Sequence, residues 1–595
     1  MKLNLKPKKT PVIDHSDSGS LLNPLKNLQF LARKPITEPL KPRLASLNYR
    51  GFHLNDWEEC VGCASCQKIC DNAAITMVEI PSLPNDPVKG IRNHRPAIDY
   101  GRCCWCALCV DICPSSSLSL SREYVHTCDQ EHIDSYFILP DPNGMHKEHF
   151  GKGWQKTEHS DLLSLTRSAM AELEPETRID NFDEIVDGFT PEQAVLEASR
   201  CVQCGMCHDS CPTNMHAPGY IRAIWNNDAE EAVRQIYRTN PFAHVCGRVC
   251  TRRCEDACSI GIRGEPIAIR WLKRYAMDSV SHERIKEIVN EGSTSKSSGK
   301  KIAIIGAGPA GLTAAFDLVR SGHKVEVFEA LPHAGGMTRY GIPEYRLPFD
   351  TLQQDIDIIT SLGVTIHYDC KIGKNKRMST LHKNFDAVIL AIGLSQGRQT
   401  RIKNSDHRHV YRAVDLLQKI SSGEEFELPH SVAVIGGGNV AMDIARSLAR
   451  LQKQQYGKVQ ITLTALEEQQ HFMADPDEIK ESLEEGIIIK DSCGPQGCEI
   501  DTDGKLIGLK TWKVTSIFDE QHRFVPQYDE EQEVVHNCEA VIEAIGQFAD
   551  TSLLGKELTE QLEWNRGRLQ VDADGRTSED WLWSAGDCVN GPDVV

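Results

Sequence analysis

Residues 300–330 read KKIAIIGAGPAGLTAAFDLVRSGHKVEVFEA, a short apolar strand followed by a glycine-rich turn, a helix and a second strand. Gly306, Gly308 and Gly311 form the G-x-G-x-x-G pattern of a dinucleotide-binding turn. The first glycine permits the tight turn, the second lets backbone approach a pyrophosphate, and the third lets the helix pack closely on the strand. Glu329, at the end of the second strand, is placed to bind ribose hydroxyls. This stretch predicts an α/β fold built on a parallel sheet.

A second stretch of the same kind lies further along the chain. Residues 430–450 read HSVAVIGGGNVAMDIARSLAR, again a strand, a glycine turn and a helix. The turn has the pattern G-x-G-x-x-A, and its predicted nucleotide contacts are Gly436, Gly438, Asn439, Val440 and Ala441. Two similar strands, AVILAIG ending at Gly393 and AVIEAIGQ ending at Gln547, lie before and after it. We interpret them as the strands that lead into and out of an inserted domain.

The chain has 23 cysteines, of which ten lie between Cys60 and Cys128. Such density at fixed short spacings indicates metal ligands in a reducing compartment. The first group contains two C-x2-C-x2-C-x3-C runs and resembles bacterial two-cluster ferredoxins, in which each run lends its fourth cysteine to the other cluster. We therefore predict one 4Fe–4S cluster on Cys60, Cys63, Cys66 and Cys113, and another on Cys70, Cys103, Cys106 and Cys109. Zinc, which favours paired C-x2-C knuckles, is the alternative.

Eight more cysteines lie between Cys201 and Cys258. The first four repeat the spacing, and the others follow at intervals of four: Cys201, Cys204, Cys207 and Cys211, then Cys246, Cys250, Cys254 and Cys258. Intervals of four could place buried structural thiols along one face of a helix. The polar and charged residues between them (GRV, TRR and EDA) favour metal ligation instead.

The segments ASRCVQCGMCHDSCPTN, TNPFAHVCGRVCTRRCEDAC and GEPIAIRWLKRY resemble the helical iron–sulfur domain of the glutamate synthase small subunit. The same domain opens dihydropyrimidine dehydrogenase. The resemblance implies one cluster on Cys201, Cys204, Cys207 and Cys258. It implies a second on Cys211, Cys250 and Cys254, with a Glu or Gln ligand at the position of Lys273. Because a protonated ammonium has no lone pair, we predict that Cys246 supplies the fourth ligand.

The same family implies that the first glycine turn binds FAD. Gly335-Gly336-Met337 and RYGIPEYRLP resemble its flavin-contacting segment, and WSAGDCVNGPDVV resembles its second FAD motif. The second turn lies between the two halves of the FAD motif, a nesting that resembles pyridine-nucleotide:disulfide-type flavoproteins. The further cofactor contacts predicted on this basis are Pro309, Ala310, Gly336, Met337, Arg346, Ile372, Gly393, Gly546, Gln547, Gly586 and Asp587.

The nicotinamide nucleotide is predicted from the strand after the second turn. NADPH-using relatives place arginines after that strand to hold the 2′-phosphate, whereas this chain has Glu467 and Glu468 there. A carboxylate accepts a hydrogen bond from a 2′-hydroxyl and repels a 2′-phosphate. We therefore predict NADH rather than NADPH, the alternative being that both glutamates are solvated surface charges.

Composition excludes several classes of protein. The net charge is −18, which argues against general nucleic-acid binding. No apolar run reaches the roughly 18 residues of a membrane-spanning helix. The basic start, MKLNLKPKKT, lacks the apolar segment of a secretion signal, so we expect a cytoplasmic protein.

The length of 595 residues allows about four domains. Residues 1–50 are predicted to be an extended arm, lying on the protein itself or docking a partner. Thr190 is the predicted N-cap of a helix that starts at Pro191. The predicted units are a ferredoxin module over 51–127, a connector over 128–180, a helical iron–sulfur domain over 181–290, an FAD domain over 300–400 and 541–595, and an inserted NAD(P) domain over 401–540.

These features predict an electron-transfer flavoprotein, part of a hetero-oligomer, that moves electrons between NAD(P)H and a ferredoxin or partner iron–sulfur enzyme. The alternatives are the electron-input subunit of a glutamate synthase and a non-catalytic iron–sulfur scaffold. No Ser/His/Asp or Cys/His nucleophile is evident, so no catalytic side chain is assigned. For the C-x4-C pair Cys493 and Cys498 we favour a surface turn over a redox disulfide.

Overall fold

The computed structural model describes residues 23–32, 45–124, 126, 130–142, 151–291 and 296–592. Most of the predicted arm lies outside these residues. Of its described residues, 23–30 are not extended but form a helix over Asn23–Lys26 and a 3-10 turn over Asn27–Phe30, and 45–50 are irregular. Pro24 suits the first turn of a helix, where its missing N–H is not needed. Among the described residues, no helix is both long and apolar enough to cross a membrane.

The first cysteine group is carried by small antiparallel sheets. His53–Asn55 pairs with Leu118–Leu120, and a three-stranded sheet consists of Ile75–Glu79, His94–Asp99 and Phe137–Ile138. One-turn helices over Ser65–Lys68 and Leu108–Asp111 carry the third cysteine of each run. The 3-10 turns are Pro87–Lys89 and Gln130–Tyr136. The region thus consists of two copies of a strand–helix–strand unit.

The second cysteine group lies in a helical region. Thr190 caps its helix Pro191–Ser199 as predicted, because the Gln193 backbone N–H donates to Thr190 Oγ1 at 3.3 Å. The helices are Pro175–Arg178, Pro191–Ser199, Met206–Asp209, Ala217–Trp225, Ala229–Tyr237, Ala243–Val249, Arg253–Asp256, Ile269–Asp278 and His282–Glu291, with a 3-10 turn over Ser259–Ile262. A short pairing of Ala171–Glu172 with Val186–Gly188 precedes them.

The first glycine turn belongs to a five-stranded parallel sheet, as predicted. Its strands, in spatial order, are Thr365–His367, Lys324–Phe328, Lys301–Ile305, Ala387–Leu390 and Leu582–Ser584. Helices cover both faces, which is why the central strand is almost entirely apolar and buried. The helices around the sheet are Pro309–Arg320, Met337–Tyr340, Phe349–Ser361, Met378–Asn384, Gly555–Gln561 and Asp587–Asn590. A 3-10 turn covers Thr551–Leu554, and Trp564–Asn565 pairs with Arg568–Leu569.

A second five-stranded parallel sheet is inserted before the last strand of the first. Its strands, in spatial order, are Val410–Arg412, Ala540–Glu543, Val432–Ile435, Ile461–Thr464 and Ile488–Lys490. Its helices are Ala413–Ser422, Asn439–Tyr456 and Pro476–Glu484, with a 3-10 turn over Gln469–His471. The chain crosses between the sheets twice, and the crossing segments Gln396–Gly397 and Gln547–Phe548 pair antiparallel. The predicted nesting of two Rossmann-like folds is thus confirmed.

A three-stranded antiparallel sheet extends from the second parallel sheet. Its strands are Cys493–Ile500, Leu506–Phe518 and Phe524–Asn537. Cys493 and Cys498 lie in the first strand, so the predicted surface turn is wrong. These residues form a strand because the sequence after them supplies two long strands, Leu506–Phe518 and Phe524–Asn537, that complete the sheet. Both cysteines are free thiols, and Cys498 is buried.

The helical region and the first parallel sheet share one hydrophobic core, to which Ile236 and Leu272 contribute from one side and Ile304 and Phe316 from the other. The second sheet has its own core. A buried ion network joins the helical region to the second sheet. In it, Arg178 of the helical region and Arg446 of the helix Asn439–Tyr456 both bind Glu485. The helical region is therefore fixed against both sheets.

Candidate functional site

The three C-x2-C-x2-C-x3-C runs share one backbone conformation. In each run, the residues on both sides of the second cysteine have positive φ: Gly62 and Ala64, Trp105 and Ala107, and Gln203 and Gly205. For a non-glycine residue this conformation costs about 1–2 kcal/mol. Each turn leads into a one-turn helix whose second residue is the third cysteine. Strain repeated at equivalent positions indicates a functional constraint on these loops.

Arg252 marks a fourth turn that shares one of these two positive-φ positions, the one before the short helix, and the sequence spacing did not reveal it. It has φ +57° and precedes the helix Arg253–Asp256, whose second residue is Cys254. Cys250 lies before the turn in extended conformation and ends the helix Ala243–Val249. The cysteines at intervals of four are therefore not a stripe on one helix, because the helix breaks at Cys250.

Two of the four predicted ligand sets each line a single cavity. One cavity is lined by Cys60, Cys63, Cys66 and Cys113, and another by Cys201, Cys204, Cys207 and Cys258. In both sets three thiols come from one run and the fourth from a distant segment. Burial, together with the nearby Cys204 thiol, raises the pKa of Cys63 to about 12.

The other two sets are also brought together. Burial and the neighbouring thiols of Cys103, Cys106 and Cys70 raise the pKa of Cys109. In the helical region, burial and the thiol of Cys250 raise the pKa of Cys254, with Cys211 adding to the shift.

Lys273 lies beside the second of these sets. It is buried, with its ammonium among the thiols of Cys250, Cys246, Cys254 and Cys211. Cys246 is 2% exposed, and its sulfur accepts a hydrogen bond from Asn240 Nδ2 at 3.2 Å.

These four cysteine sets fit iron–sulfur clusters. All sixteen thiols are free, and soft thiolate sets are the ligands that such clusters take. Among the described residues, no three His, Cys, Asp or Glu side chains are grouped so as to hold a single metal ion. The buried thiols have raised pKa values, so they would carry protons without a metal, and ligation displaces those protons.

The cysteine sets form a continuous series in space. Within the N-terminal region, the Cys66 thiol interacts electrostatically with Cys109 of the neighbouring set. Cys63 interacts with Cys204 across the interface to the helical region. Cys207 interacts in turn with Cys254 of the set around Lys273.

Polar contacts hold the N-terminal region against the helical region. Arg92 donates from Nε to Asp209 Oδ2 at 2.9 Å and from Nη1 to the Cys204 carbonyl at 3.4 Å. Lys68 donates from Nζ to the Gln203 carbonyl. Two adjacent cysteine sets are therefore fixed at this interface.

The first glycine turn has the close contacts that its pattern predicts. A Cβ on Gly306, which has φ +102°, would lie 2.4 Å from the Ala391 carbonyl oxygen. A Cβ on Gly311 would lie 2.1 Å from the Gly306 carbonyl oxygen. A Cβ on Gly308 would meet no atom closer than 3.8 Å, so this glycine leaves room for a ligand rather than for protein. Glu329 reaches the turn, where its Oε2 accepts from the Ala307 N–H at 2.8 Å.

The structure brings the other predicted flavin segments to this turn. Gly336 backs onto Gly308, because a Cβ on it would lie 2.9 Å from the Gly308 Cα. Gly586 backs onto Ala310 at the start of the helix, at 2.7 Å by the same measure. Each of these two glycines precedes a short helix: Gly336 precedes the helix that begins at Met337, and Gly586 precedes the helix that begins at Asp587. Pro309 is the first residue of the helix that follows the turn. Gly393 lies just after the strand Ala387–Leu390 and has φ +58°. Ile372 is buried in a core cluster that includes residues of the first sheet.

Arg346 is placed differently from its expected role as a flavin contact alone. Its guanidinium binds Asp443 Oδ1 at 2.7 Å and Glu478 Oε1 at 2.7 Å. Both carboxylates belong to helices of the second sheet. Arg346 therefore links the two sheets, a contact that motif reasoning cannot reveal because the partners are about 100 residues apart in sequence.

The second glycine turn reproduces the first. A Cβ on Gly436 would lie 2.5 Å from the Ala544 carbonyl oxygen, at the end of the strand equivalent to the one that carries Ala391. A Cβ on Gly438 would meet nothing within 4 Å. Asn439 and Val440 are the first residues of the helix after this turn, and Ala441 is fully buried in the same helix. Gly546 has φ +105°, and Gln547 begins the segment that crosses back to the first sheet.

Glu467 lies at the carboxyl edge of the second sheet. It follows the strand Ile461–Thr464, which is the neighbour of the strand that leads into the second turn. Its backbone carbonyl accepts from the Ser492 N–H at 3.0 Å, which fixes the loop. Glu468 is exposed and pairs with His471 at 3.9 Å.

Arg252 connects the fourth cysteine set to the second sheet. It donates to Asp475 Oδ1 at 2.6 Å and to Asp477 Oδ2 at 2.7 Å. The Asp475 N–H in turn donates to Asn439 Oδ1, beside the second glycine turn, at 2.8 Å. The cysteine series and the nucleotide turn therefore meet through two hydrogen-bonded links.

Two family matches cover the helical region and both sheets. Residues 178–285 match "Dihydroprymidine dehydrogenase domain II, 4Fe-4S cluster", and residues 300–595 match "Pyridine nucleotide-disulphide oxidoreductase".

Three relatives illustrate the similarity. The NAD-dependent dihydropyrimidine dehydrogenase subunit PreT homolog of Salmonella typhi is 35% identical over 53% of this chain and 75% of its own length. The NADP(+)-dependent formate dehydrogenase subunit beta of Moorella thermoacetica is 35% identical over 65% of this chain, which covers only 57% of that relative. The glutamate synthase (NADPH) small chain of Escherichia coli K12 is 29% identical over 70% of this chain and 90% of its own length.

The cysteine loops, the two nested glycine turns and these matches agree with one another. They confirm the resemblance to the glutamate synthase small subunit, and relatives of this kind are NAD(P)-dependent iron–sulfur flavoproteins. The chain belongs to the family of FAD- and NAD(P)-dependent iron–sulfur oxidoreductases.

Proposed function

We propose that this enzyme moves electrons between NADH and a partner iron–sulfur protein through FAD and four 4Fe–4S clusters. The observation that carries the proposal is the spatial series of four cysteine sets, which runs from the second glycine turn to the N-terminal region. A flavin can accept the two electrons of one hydride together and release them one at a time, which suits one-electron clusters. The chain's own residues bind and space these groups.

We propose four clusters, one for each cysteine set. Three of the proposed sets contain four cysteines each. The fourth contains Cys211, Cys250 and Cys254, and we propose Cys246 as its remaining ligand. Four full sets correspond to about sixteen irons per chain.

Cys246→Ala is expected to reduce the iron content from about sixteen to about twelve per chain, or to leave a cluster short of one iron. The reason is that no other thiol of the described residues joins Cys211, Cys250 and Cys254 around Lys273. Iron analysis and low-temperature EPR of the purified chain would measure the loss. The matched control is Cys498→Ala, a buried thiol away from the cysteine sets, which should leave the iron content unchanged. Retention of all irons in Cys246→Ala would show that the fourth ligand is another group.

The preference for NADH rests on Glu467, at the carboxyl edge of the sheet, where the adenosine ribose binds in folds of this kind. Its charge stabilises a free 2′-hydroxyl and repels a 2′-phosphate. The relatives do not decide the matter, since their names include both NAD-dependent and NADP-dependent enzymes.

Glu467→Arg is expected to shift the ratio of kcat/KM for NADH to that for NADPH about 100-fold toward NADPH, since replacing repulsion by attraction is worth about 2.7 kcal/mol. Steady-state reduction of an artificial dye acceptor with each nucleotide would measure it. Glu468→Arg, one residue further and exposed, is the control and should change the ratio little. Equal effects of the two substitutions would mean that only the general charge of this edge matters.

The proposed partner is a ferredoxin or the iron–sulfur subunit of a larger enzyme. Two of the three relatives are named as subunits and the third as a small chain, which supports a hetero-oligomer. The free thiols support a reducing compartment, and we place the chain in the cytoplasm.

The experiment that tests this function is anaerobic, NADH-driven reduction of a purified bacterial two-cluster ferredoxin by the full chain. The proposal predicts catalytic reduction with NADH and much slower reduction with NADPH. Reduction with NADPH alone would favour the electron-input role of a glutamate synthase small chain. Absence of turnover with either nucleotide, in a chain that holds FAD and iron, would favour a non-catalytic scaffold.

A further inference from the structure

Lys273 is a buried lysine with an unusual environment. It lies on the helix Ile269–Asp278 and is 7% exposed. The thiols of Cys250, Cys246, Cys254 and Cys211 act electrostatically on its ammonium. Arg270, one turn earlier on the same helix, donates from Nη1 to the Cys250 carbonyl at 3.2 Å, which places the helix beside this set. In the described part of the chain, no carboxylate forms an ion pair with it.

An ammonium buried without a counter-ion is strongly destabilising, and protein interiors normally pair such charges. Carboxylates are available close to Lys273, and neighbouring arginines pair with them. Arg248 and Arg274, on the adjacent helix faces, both reach Glu184 and Asp278. Lys273 has no such partner in the described residues.

Two buried carboxylates, Glu255 and Asp355, lie beside the set, where they act on Cys254 and Cys246. Both are bound elsewhere, because Glu255 pairs with Arg167 and Asp355 accepts from the N–H groups of His244 and Val245. We therefore look for the negative counterpart of Lys273 in what the four cysteines hold.

A 4Fe–4S cluster with four thiolates carries a net negative charge and supplies that counterpart. Lys273 is not needed as a ligand, because Cys246 completes the set of four thiols. The Cys246 sulfur already has a donor, Asn240 Nδ2 at 3.2 Å, which is the kind of hydrogen bond that cluster sulfurs accept. The site thus has four thiols and one unpaired cation.

We propose that Lys273 is the built-in counter-charge of the fourth cluster, and that it raises the reduction potential of that cluster without binding iron. This inference rests on the proposed function of the fourth cysteine set. One-electron reduction, with the electron delivered from the flavin, adds a negative charge to the cluster and its thiolates. A fixed positive charge nearby stabilises the reduced form more than the oxidised form.

The position of the site gives this effect a role. The fourth set is the one linked to the second glycine turn, through Arg252 and Asp475. A cluster with a raised reduction potential at the nucleotide end of the series would favour electron transfer from the flavin and disfavour the return of the electron to the flavin.

The test is a potentiometric titration of the purified holoprotein, followed by EPR, for wild type, Lys273→Met and Lys273→Arg. Methionine keeps the length of the side chain and removes the charge, whereas arginine keeps the charge. Lys286→Met, on the next helix and paired with Glu283, is the matched control. We expect Lys273→Met to retain its iron and to shift one cluster at least tenfold toward the oxidised form, about 59 mV for one electron. Lys273→Arg and Lys286→Met should leave that potential near the wild-type value.

Three results would overturn the proposal. Unchanged potentials in an iron-replete Lys273→Met would show that the charge has no effect. Loss of about four irons in Lys273→Met, with retention in Cys246→Ala, would make the lysine a ligand. A wild-type content of only about twelve irons would mean that the fourth set holds no cluster, and the proposed function would fail with it. If Lys273→Met does not fold, Lys273→Leu removes the same charge and adds no group that could bind iron.

Discussion

Gly438→Val is expected to leave FAD bound and to slow the reduction of the flavin by NADH about 100-fold or more, a loss of at least about 2.7 kcal/mol. The backbone at Gly438 has φ −102° and ψ 174°, which valine adopts readily. A Cβ there meets no protein atom within 4 Å, so the variant should fold. The side chain would instead fill the space that the nucleotide pyrophosphate needs. Anaerobic rapid mixing with NADH, followed by flavin absorbance, measures the effect.

The control for Gly438→Val is reduction of its flavin by dithionite, which needs no nucleotide site and should proceed as in wild type. Gly436 is a poor choice for this purpose, because a Cβ on it would lie 2.5 Å from the Ala544 carbonyl oxygen and would disturb the fold. Normal NADH reduction in a correctly folded Gly438→Val would place the nicotinamide nucleotide elsewhere.

Gly308→Val is expected to yield a folded chain that retains its iron and lacks FAD. Its φ of −78° and ψ of 179° suit valine, and the nearest atom to a Cβ is the Gly336 Cα at 3.8 Å. As at Gly438, the new side chain would occupy ligand space and not protein space. Because the proposed path runs from the nucleotide through the flavin to the clusters, this variant should lose NADH-dependent cluster reduction altogether. Flavin content by absorbance, iron content and circular dichroism measure the three parts of the prediction.

The two variants separate the two turns. Gly308→Val removes the flavin and with it every NADH-dependent activity, whereas Gly438→Val keeps the flavin and loses only its reduction by nucleotide. Retention of FAD in Gly308→Val together with its loss in Gly438→Val would mean that the assignments of the turns are reversed.

The main elements of the fold could be predicted from the sequence because their determinants are local. The G-x-G-x-x-G turn at Gly306 needs residues without side chains where backbone passes backbone, and this requirement is visible in the letters alone. The nested insertion was predicted because the strands that end at Gly393 and Gln547 are nearly identical. The crossed sets that line two cavities follow from the spacing of the cysteine runs and from family resemblance.

The parts that could not be predicted depend on contacts between distant segments. The link from Arg346 to Asp443 and Glu478 joins separate folds, and no motif records it. The left-handed turn at Arg252 was hidden because Cys250 stands one residue further from Cys254 than the usual spacing. The strand that contains Cys493 and Cys498 was missed because its stability comes from partner strands and not from its own glycine-rich sequence.

The measurement that tests the central claim most directly is anaerobic rapid mixing of the wild-type holoprotein with NADH, followed at wavelengths for flavin and for iron–sulfur clusters. The account predicts that the flavin is reduced first and that the clusters are reduced afterwards, with NADH much faster than NADPH. Cluster reduction that precedes flavin reduction, or that persists in flavin-free Gly308→Val, would contradict the proposed path from nucleotide through flavin to the cysteine series.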